Sequence, residues 1–220
     1  MIKMYSLNTS PWLVDLYNTV LEYKTDGFLV ELGVGYTIGG EGRREEPYVP
    51  TSDEIVPLGS NTGELIDIGW SGIYVDPIKE LCDEAVIRHQ RAVDEGRLSV
   101  VVTGASDVDG IEVLSQGETF VPAGYVSPGF CFYEGRVVPT RVTSKILEEN
   151  KCPSRFDIMS IDVEGYEDRA IKGIDFDRHR PRILIAEINK VSMDIIQGLL
   201  PSSYVLTDDD GLNAAWVDAL

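Results

Sequence analysis

Basic residues are scarce in this chain: Lys and Arg number 19 against 37 Asp and Glu, a formal net charge of −18 over 220 residues. So acidic a surface repels a phosphate backbone, which argues against a nucleic-acid ligand and favours an uncharged or cationic one. Cysteine is sparse too. Cys82, Cys131 and Cys152 form no CxxC pair, so neither a disulfide framework nor a zinc site is indicated, and reduced thiols in a cytoplasmic compartment are expected. No apolar run approaches the roughly 20 residues that span a bilayer, and Met1 to Ser10 lacks the apolar core of a secretion signal. The two histidines, His89 in a helical pattern and His179 just before a strand, read as structural. A dinucleotide fingerprint would also need a third glycine after Gly33 and Gly35, where Ile38 stands. Without it there is no pyrophosphate cradle, which disfavours a nucleotide-dependent oxidoreductase.

What is present is the composition of a folded domain, 43% hydrophobic and 25% charged, in a length that suits one domain over 1–220. Trp12 to Tyr23 carries apolar residues at three-and-four spacing behind Ser10-Pro11, which predicts a packing helix. Short apolar runs follow at 27–32, 72–75, 98–102, around Ile158 and at 181–187, and helical patterns separate most of them. Asn61 and Glu64 resemble a capping box, Asp76-Pro77 opens a helix that continues to Gly96, and Thr143 caps another. The region 108–142, punctuated by glycines, reads as an irregular β arm, and 36–59 as a long Gly- and Pro-rich insertion. Tyr204 to Leu206 and Ala214 to Val217, joined through Asp208-Asp209-Asp210-Gly211, read as a hairpin. The sum is an α/β fold: a Rossmann-like, doubly wound, mostly parallel sheet of about seven strands ending in a C-terminal antiparallel hairpin.

Chemistry is expected where buried strands end, because ligands of open α/β sheets bind beyond the strands' carboxyl ends. Acids stand at several of these ends: Glu31, Asp76, Asp107, Asp162 with Glu164, and Glu187. Residues two apart on an extended backbone share a face, so Asp162 and Glu164 would converge if the strand ran that far. Asp162 is the first candidate for a base or substrate-orienting acid and Glu164 the second, whereas Glu167 reads as a helix-dipole residue. Asp162 and Glu187 could share a hard cation, Mg2+ or Mn2+, or bind hydroxyls directly, or pair with Arg182 or Lys190.

Glu31 ahead of Gly33-Val34-Gly35 resembles the first motif of S-adenosylmethionine-dependent methyltransferases. A site for that cofactor would use Asp76 for both ribose hydroxyls, Ser106 and Asp107 toward the adenine, and Glu31 with Asn61 and Thr62 for the methionine moiety. Asp76 also reads as a helix N-cap, and Asp107 as part of a turn. The stretch from Ser160 to Glu167, with Ile171-Lys172-Gly173 and the strand Pro181 to Glu187, resembles the Ile-Asp-Val-Glu-Gly region of FkbM-type methyltransferases, over roughly residues 27 to 190. The resemblance implies O-methylation of a sugar, glycan or other small molecule, a deoxyhexose such as rhamnose among them. It also implies a glycosyltransferase as fused domain or partner. On this reading 24–107 is the cofactor-binding half and 143–220 the acceptor half. The 36–59 insertion departs from the family pattern and puts the roles of Asn61 and Thr62 in question. Trp70, Tyr125, Phe130, Phe132, Tyr133 and Tyr166 could supply sugar-stacking faces. A non-catalytic nucleotide- or glycan-binding module on the same fold is the competing reading.

Overall fold

A computed structural model describes residues 11–34, 60–114 and 136–220. The 36–59 insertion, Gly35, Tyr125, Phe130, Cys131, Phe132 and Tyr133 lie outside the described residues. In chain order the first elements are α1 (Pro11–Val20), β1 (Phe28–Leu32), α2 (Gly63–Asp67), β2 (Ser71–Asp76), α3 (Lys79–Arg88), α4 (Gln90–Asp94) and β3 (Leu98–Val102). Next come β4 (Gly104–Ser106), β5 (Gly110–Leu114), β6 (Arg136–Val142), α5 (Thr143–Glu149), β7 (Arg155–Ile161) and α6 (Glu167–Lys172). The chain closes with β8 (Arg180–Glu187), α7 (Met193–Leu199), β9 (Tyr204–Asp209) and β10 (Asn213–Asp218).

Seven strands form one Rossmann-like sheet in the order β3-β2-β1-β7-β8-β10-β9. The first five are parallel, and β10 runs antiparallel to both neighbours. The chain winds outward from β1 to β3 and later returns to place β7 on the other side of β1. The order therefore reverses between β1 and β7, which creates a crevice at their carboxyl ends.

Strands buried on both faces must be apolar almost throughout, and these are. Val30, Leu32, Ile73, Val75, Met159, Ile161, Leu184 and Ala186 pack with Ile146 of α5, Ala170 of α6 and Ile196 of α7. Leu29, Tyr74, Ile158, Ile183 and Ile185 face the other core, under Leu13 of α1, Leu65 of α2, Ala85 of α3 and Ala92 of α4. The two-residue period of a strand then carries Glu31, Asp76, Ser160 and Glu187 to that same α1/α2 face. An otherwise apolar layer ends in polar groups at one edge.

The opposite, amino-terminal edge is closed by ion pairs. Asp157 accepts from Lys24 Nζ at 2.8 Å and from the Phe28 N–H at 2.8 Å. Asp218, almost fully buried, binds Arg155 at 3.0 Å and Arg180 at 2.7 Å. Lys24, Arg155, Arg180 and Arg182 line a groove of about 510 Å³ there.

The predicted arm is more regular than its sequence suggests. Its described ends form a second sheet, β4-β6-β5, with β4 parallel and β5 antiparallel to β6. It is seated on α6 by a close contact, since a Cβ on Gly173 would lie 2.0 Å from the Ser106 carbonyl oxygen.

Three local readings change. The helix expected from Ile78 to Gly96 breaks at His89 (φ −104°), whose ring turns inward to meet Asp67 through Nδ1 at 2.9 Å and packs edge-on against Tyr74. Asn61 forms no capping box: α2 begins at Gly63, with Thr62 at the cap but its hydroxyl committed elsewhere. α3 begins two residues after Pro77 because the Asp76 carboxylate takes the Ile78 N–H at 2.7 Å. The C-terminal hairpin forms as read.

Gly33 is the tightest point of the main sheet. It adopts φ +86°, and a Cβ there would stand 1.6 Å from the carbonyl oxygen of Asp162. Gly33→Ala is therefore expected to lower unfolding free energy in urea by more than about 2 kcal/mol. Gly198→Ala in α7, where a Cβ would meet nothing within 4 Å, is expected to be neutral or to stabilise by up to about 1 kcal/mol. A folded Gly33→Ala protein of unchanged stability would contradict the packing described.

Candidate active site

Four carboxylates gather where β1, β2, β7 and β8 end, and each is held differently. Glu31, on β1, is 2% exposed. Its Oε2 accepts hydrogen bonds from the hydroxyls of Ser60 (2.6 Å) and Thr62, and its Oε1 accepts the Asn61 N–H at 3.0 Å. Asn61 Nδ2 in turn donates to Ser160 Oγ on β7 at 3.1 Å. Burial pushes the Glu31 carboxyl up from its ordinary value, against the pull of these donors. The predicted trio of Glu31, Asn61 and Thr62 thus does meet, but its members bond to one another. The acid anchors the chain entering α2.

Asp76, at the end of β2, is 1% exposed and accepts from the backbone N–H groups of Ile78 and Val34. Burial raises its carboxyl to about 7. Asp76 thus forms the turn ahead of α3, whose N-cap is Ile78 and not the expected Asp76, and its carboxylate stands at the crevice. Ser106 and Asp107 sit farther along, in the second sheet. Ser106 is fully buried, and Asp107 accepts from Arg169 Nε of α6 at 2.8 Å, which directs its carboxylate toward α6. Trp70 is core, packed against Gly27, so it offers no sugar platform. Tyr166 is partly buried, with the Arg169 guanidinium 5.7 Å from its ring centre.

The turn after β7 carries the densest chemistry. β7 stops at Ile161, so Asp162 and Glu164 do not share a strand face. The Asp162 N–H bonds to the Leu32 carbonyl at 2.9 Å, which ties the turn to β1. Glu164 and Gly165 then take left-handed conformations (φ 55° and 99°), and the Glu164 carboxylate pairs with Lys190. Asp162 is raised to about 7, first by burial and then by the like charges of Glu164, Glu167 and Glu31. Glu187, on the neighbouring strand, is raised to about 8 by burial and by Asp162. One Glu187 oxygen accepts from Asn189 Nδ2 at 2.5 Å, while the other, Oε2, is buried with no hydrogen-bond partner among the described residues.

Glu167 completes this group and was missed as a site residue. Its usual place in a first helical turn is solvent, yet here it is wholly buried, and an oxygen of each of Asp162, Glu167 and Glu187 lies within 4.8 Å of the others. The spacing Glu164-Gly165-x-Glu167 was the available signal, an acid placed to reach back into its own turn. Three hard oxygens at such distances invite a divalent cation. The donor set does not make a cage, however: both Glu167 oxygens already accept backbone N–H groups, and the Lys190 ammonium is near enough to pull on Asp162 and Glu187 as a competing cation. The expectation of Mg2+ or Mn2+ at Asp162 and Glu187 gains no support from this arrangement.

The model of the methyltransferase FkbM domain matches residues 59–209, from the Ser60–Thr62 segment that Glu31 anchors through the acidic turn to β9. No curated protein sequence matches the chain. Among solved structures it resembles the methyltransferase FkbM of Methylobacillus flagellatus KT, at 15% identity and a TM-score of 0.57, with 96% of this chain and 48% of that one covered. The chain therefore spans about half the length of that relative, and the likeness supports the fold. A conserved hypothetical protein of Streptococcus pyogenes (10% identity, TM-score 0.45, 93% of each chain) and the O-methyltransferase of Bacillus cereus in complex with SAH (13%, 0.42, 97% of this chain and 84% of that one) are more distant.

Carboxyls raised in the folded state bind protons that the unfolded chain has released, so stability falls as pH climbs from the ordinary carboxylate range, about 4, through the folded values. With Asp76 and Asp162 at about 7 and Glu187 at about 8, the ligand-free protein is expected to resist urea better at pH 5.5 than at pH 8. Asp76→Asn keeps the acceptor for Ile78 but cannot titrate, and is expected to flatten that slope. A pH-independent stability across this window would contradict the burial argument.

Proposed function

Because the chain belongs to the methyltransferase FkbM domain family, we propose that it transfers a methyl group from S-adenosylmethionine to a hydroxyl of a sugar, glycan or comparable small molecule, deoxyhexoses such as rhamnose among the candidates. The observation that carries the reading is the convergence of Glu31, Asp76 and Glu187, which share one face of the sheet, with Asp162 in the turn after β7, at the crevice between β1 and β7. The cofactor has no pyrophosphate to cradle and carries a sulfonium and an ammonium, which suit a crevice edged with carboxylates. Asp76 takes the ribose hydroxyls, Gly33 lets the backbone come close, and Glu31 orders the Asn61-Thr62 segment beside the methionine end. Ser106 and Asp107, the latter braced by Arg169, border the adenine.

For the transfer, Asp162 accepts the proton of the acceptor hydroxyl as its oxygen attacks the methyl carbon in line with the sulfur. The carbon–sulfur bond breaks, and its electron pair stays on the sulfur of S-adenosylhomocysteine. A base with a proton affinity near neutrality suits this role, and Glu187 beside it offers a place for the proton before it leaves. The buried Glu187 oxygen, which has no hydrogen-bond partner among the described residues, favours such sharing, since a buried acceptor without a donor is costly. Glu164, paired with Lys190, orients rather than reacts. No step calls for a divalent cation. A glycosyltransferase that makes the acceptor is the partner this chemistry fits.

Titration calorimetry on the wild type should show binding of S-adenosylmethionine and S-adenosylhomocysteine. Asp76→Ala should weaken both more than tenfold, or by upwards of about 1.4 kcal/mol. Asp162→Asn should leave cofactor affinity within about threefold while lowering transfer to sugar acceptors by about a hundredfold or more, and a chelator should leave the wild-type rate unchanged. A folded wild type that binds neither ligand would overturn the proposal, and binding without transfer to any acceptor would favour the non-catalytic module.

A further inference from the structure

We propose that Glu167 is a positioning residue for the Asp162–Glu187 pair: from inside the fold it holds the turn that carries Asp162, and it presents a fixed carboxylate to both partners. The inference rests on the methyltransferase reading for what the pair does, but not for how the pair is held.

β7 ends at Ile161, and the next few N–H groups need acceptors because they are shielded from water. The Leu32 carbonyl takes that of Asp162, and Glu167, the first residue of α6, takes those of Val163 and Gly165. Its Oε1 accepts the N–H of Val163 and of Gly165, each at 3.1 Å, and its Oε2 also accepts from Gly165 at 3.1 Å. Between these bonds the backbone passes through two left-handed residues, one of them Glu164, where a side chain makes φ 55° unfavourable by about 1 kcal/mol or more. Charge-assisted bonds to a buried carboxylate hold that conformation.

The side chain is specific to the task. Asp is one methylene shorter and falls short of Val163 four residues back. Gln turns an NH2 toward the Gly165 N–H, donor against donor. The turn so fixed sets where the Asp162 carbonyl meets Gly33 and where Glu164 meets Lys190.

Glu167 acts on charge as well as on place. The charged groups that face Asp162 are Glu164, Glu167, Glu31, Asp76 and Glu187, opposed by Lys190, and those that face Glu187 are Asp162, Glu164 and Glu167, opposed by Lys190. Burial raises the Glu167 carboxyl too, but its backbone donors oppose the rise. Among the three neighbouring acids Glu167 alone has both oxygens bonded to backbone N–H groups, so it is the one whose position the backbone fixes.

The test needs no acceptor. Carboxyl 13C NMR titration of wild type and E167Q should show the Asp162 and Glu187 transitions at lower pH in the variant, by about half a unit or more. Amide exchange at Val163 and Gly165 should be about tenfold faster in E167Q. Unchanged titration in a folded E167Q would reduce Glu167 to a scaffold residue and overturn the proposal. Should E167Q fail to fold, the wild type decides: Val163 and Gly165 amides protected by about a hundredfold or more, although they lie in a turn, support the clamp, and unprotected amides overturn it. Adding S-adenosylhomocysteine to the wild type separates the two claims. A wild type that ignores it, while E167Q still shifts the titration, keeps the positioning role and loses the methyltransferase reading. Binding combined with an unshifted E167Q does the reverse.

Discussion

Just past the paired stretch of β1 and β7, two strands that are far apart in sequence, the chains approach so closely that one residue can have no side chain. Gly33 bends away from β1 in a conformation that L-residues avoid, and the Asp162 carbonyl occupies the space a methyl group would need. Everything placed at the crevice inherits its position from that contact. The Asp162 N–H bonds back to Leu32 and the Gly33 N–H to Val75, so the ends of β1, β2 and β7 are laced into one edge. Acids on β1, β2 and β8 share a face through the parity of their strands, and the acid after β7 is brought beside them by the N–H bond of Asp162 to Leu32. The site is a consequence of sheet closure, with no dedicated loop needed to assemble it.

Gathering carboxylates in this way opposes folding. Each is drawn from water and set against like charge, and the molecule answers in three ways. Glu31 and Glu167 are saturated with donors, hydroxyl and backbone in one case and backbone alone in the other. Glu164 finds Lys190. Asp162 and Glu187 keep the least compensation, and burial raises them to about 7 and about 8, as it raises Asp76 to about 7. The uneven distribution of donors sets acids tied into the fold apart from acids left open at the crevice, although in sequence all of them are simply Asp or Glu at a strand end.

Much of the architecture was legible because parallel strands buried on both faces leave apolar runs too plain to miss, and because Asp208 to Gly211 is a strong turn signal. The acids at the strand ends were legible for the same reason. What could not be read is what depends on partners distant in sequence. Asn61 and Glu64 carry the letters of a capping box, but Glu31, some thirty residues earlier, claims the hydroxyl at the cap. His89 keeps the helical spacing, yet its contact with Asp67 breaks the helix. Gly33 looked like a glycine for a ligand to approach, and its first obligation proved to be to Asp162. Glu167 obeyed the helix-dipole rule so well that its burial was invisible. In each case a local preference was satisfied on paper and overruled by a contact across the fold.

The ion pairs at the amino-terminal edge leave the molecule with a polarity along its strands. At that end Lys24, Arg155, Arg180 and Arg182 are offset by Asp26, Asp157 and Asp218, while at the other Glu31, Asp76, Asp162, Glu164, Glu167 and Glu187 outnumber Lys190. Such a separation produces a field that points along the strands, and a cationic ligand arriving from solution feels a torque as well as an attraction. The fold thus begins to orient a cation before any contact is made, and dissolved salt, by shortening the reach of that field, would slow the encounter without altering a single bond in the site.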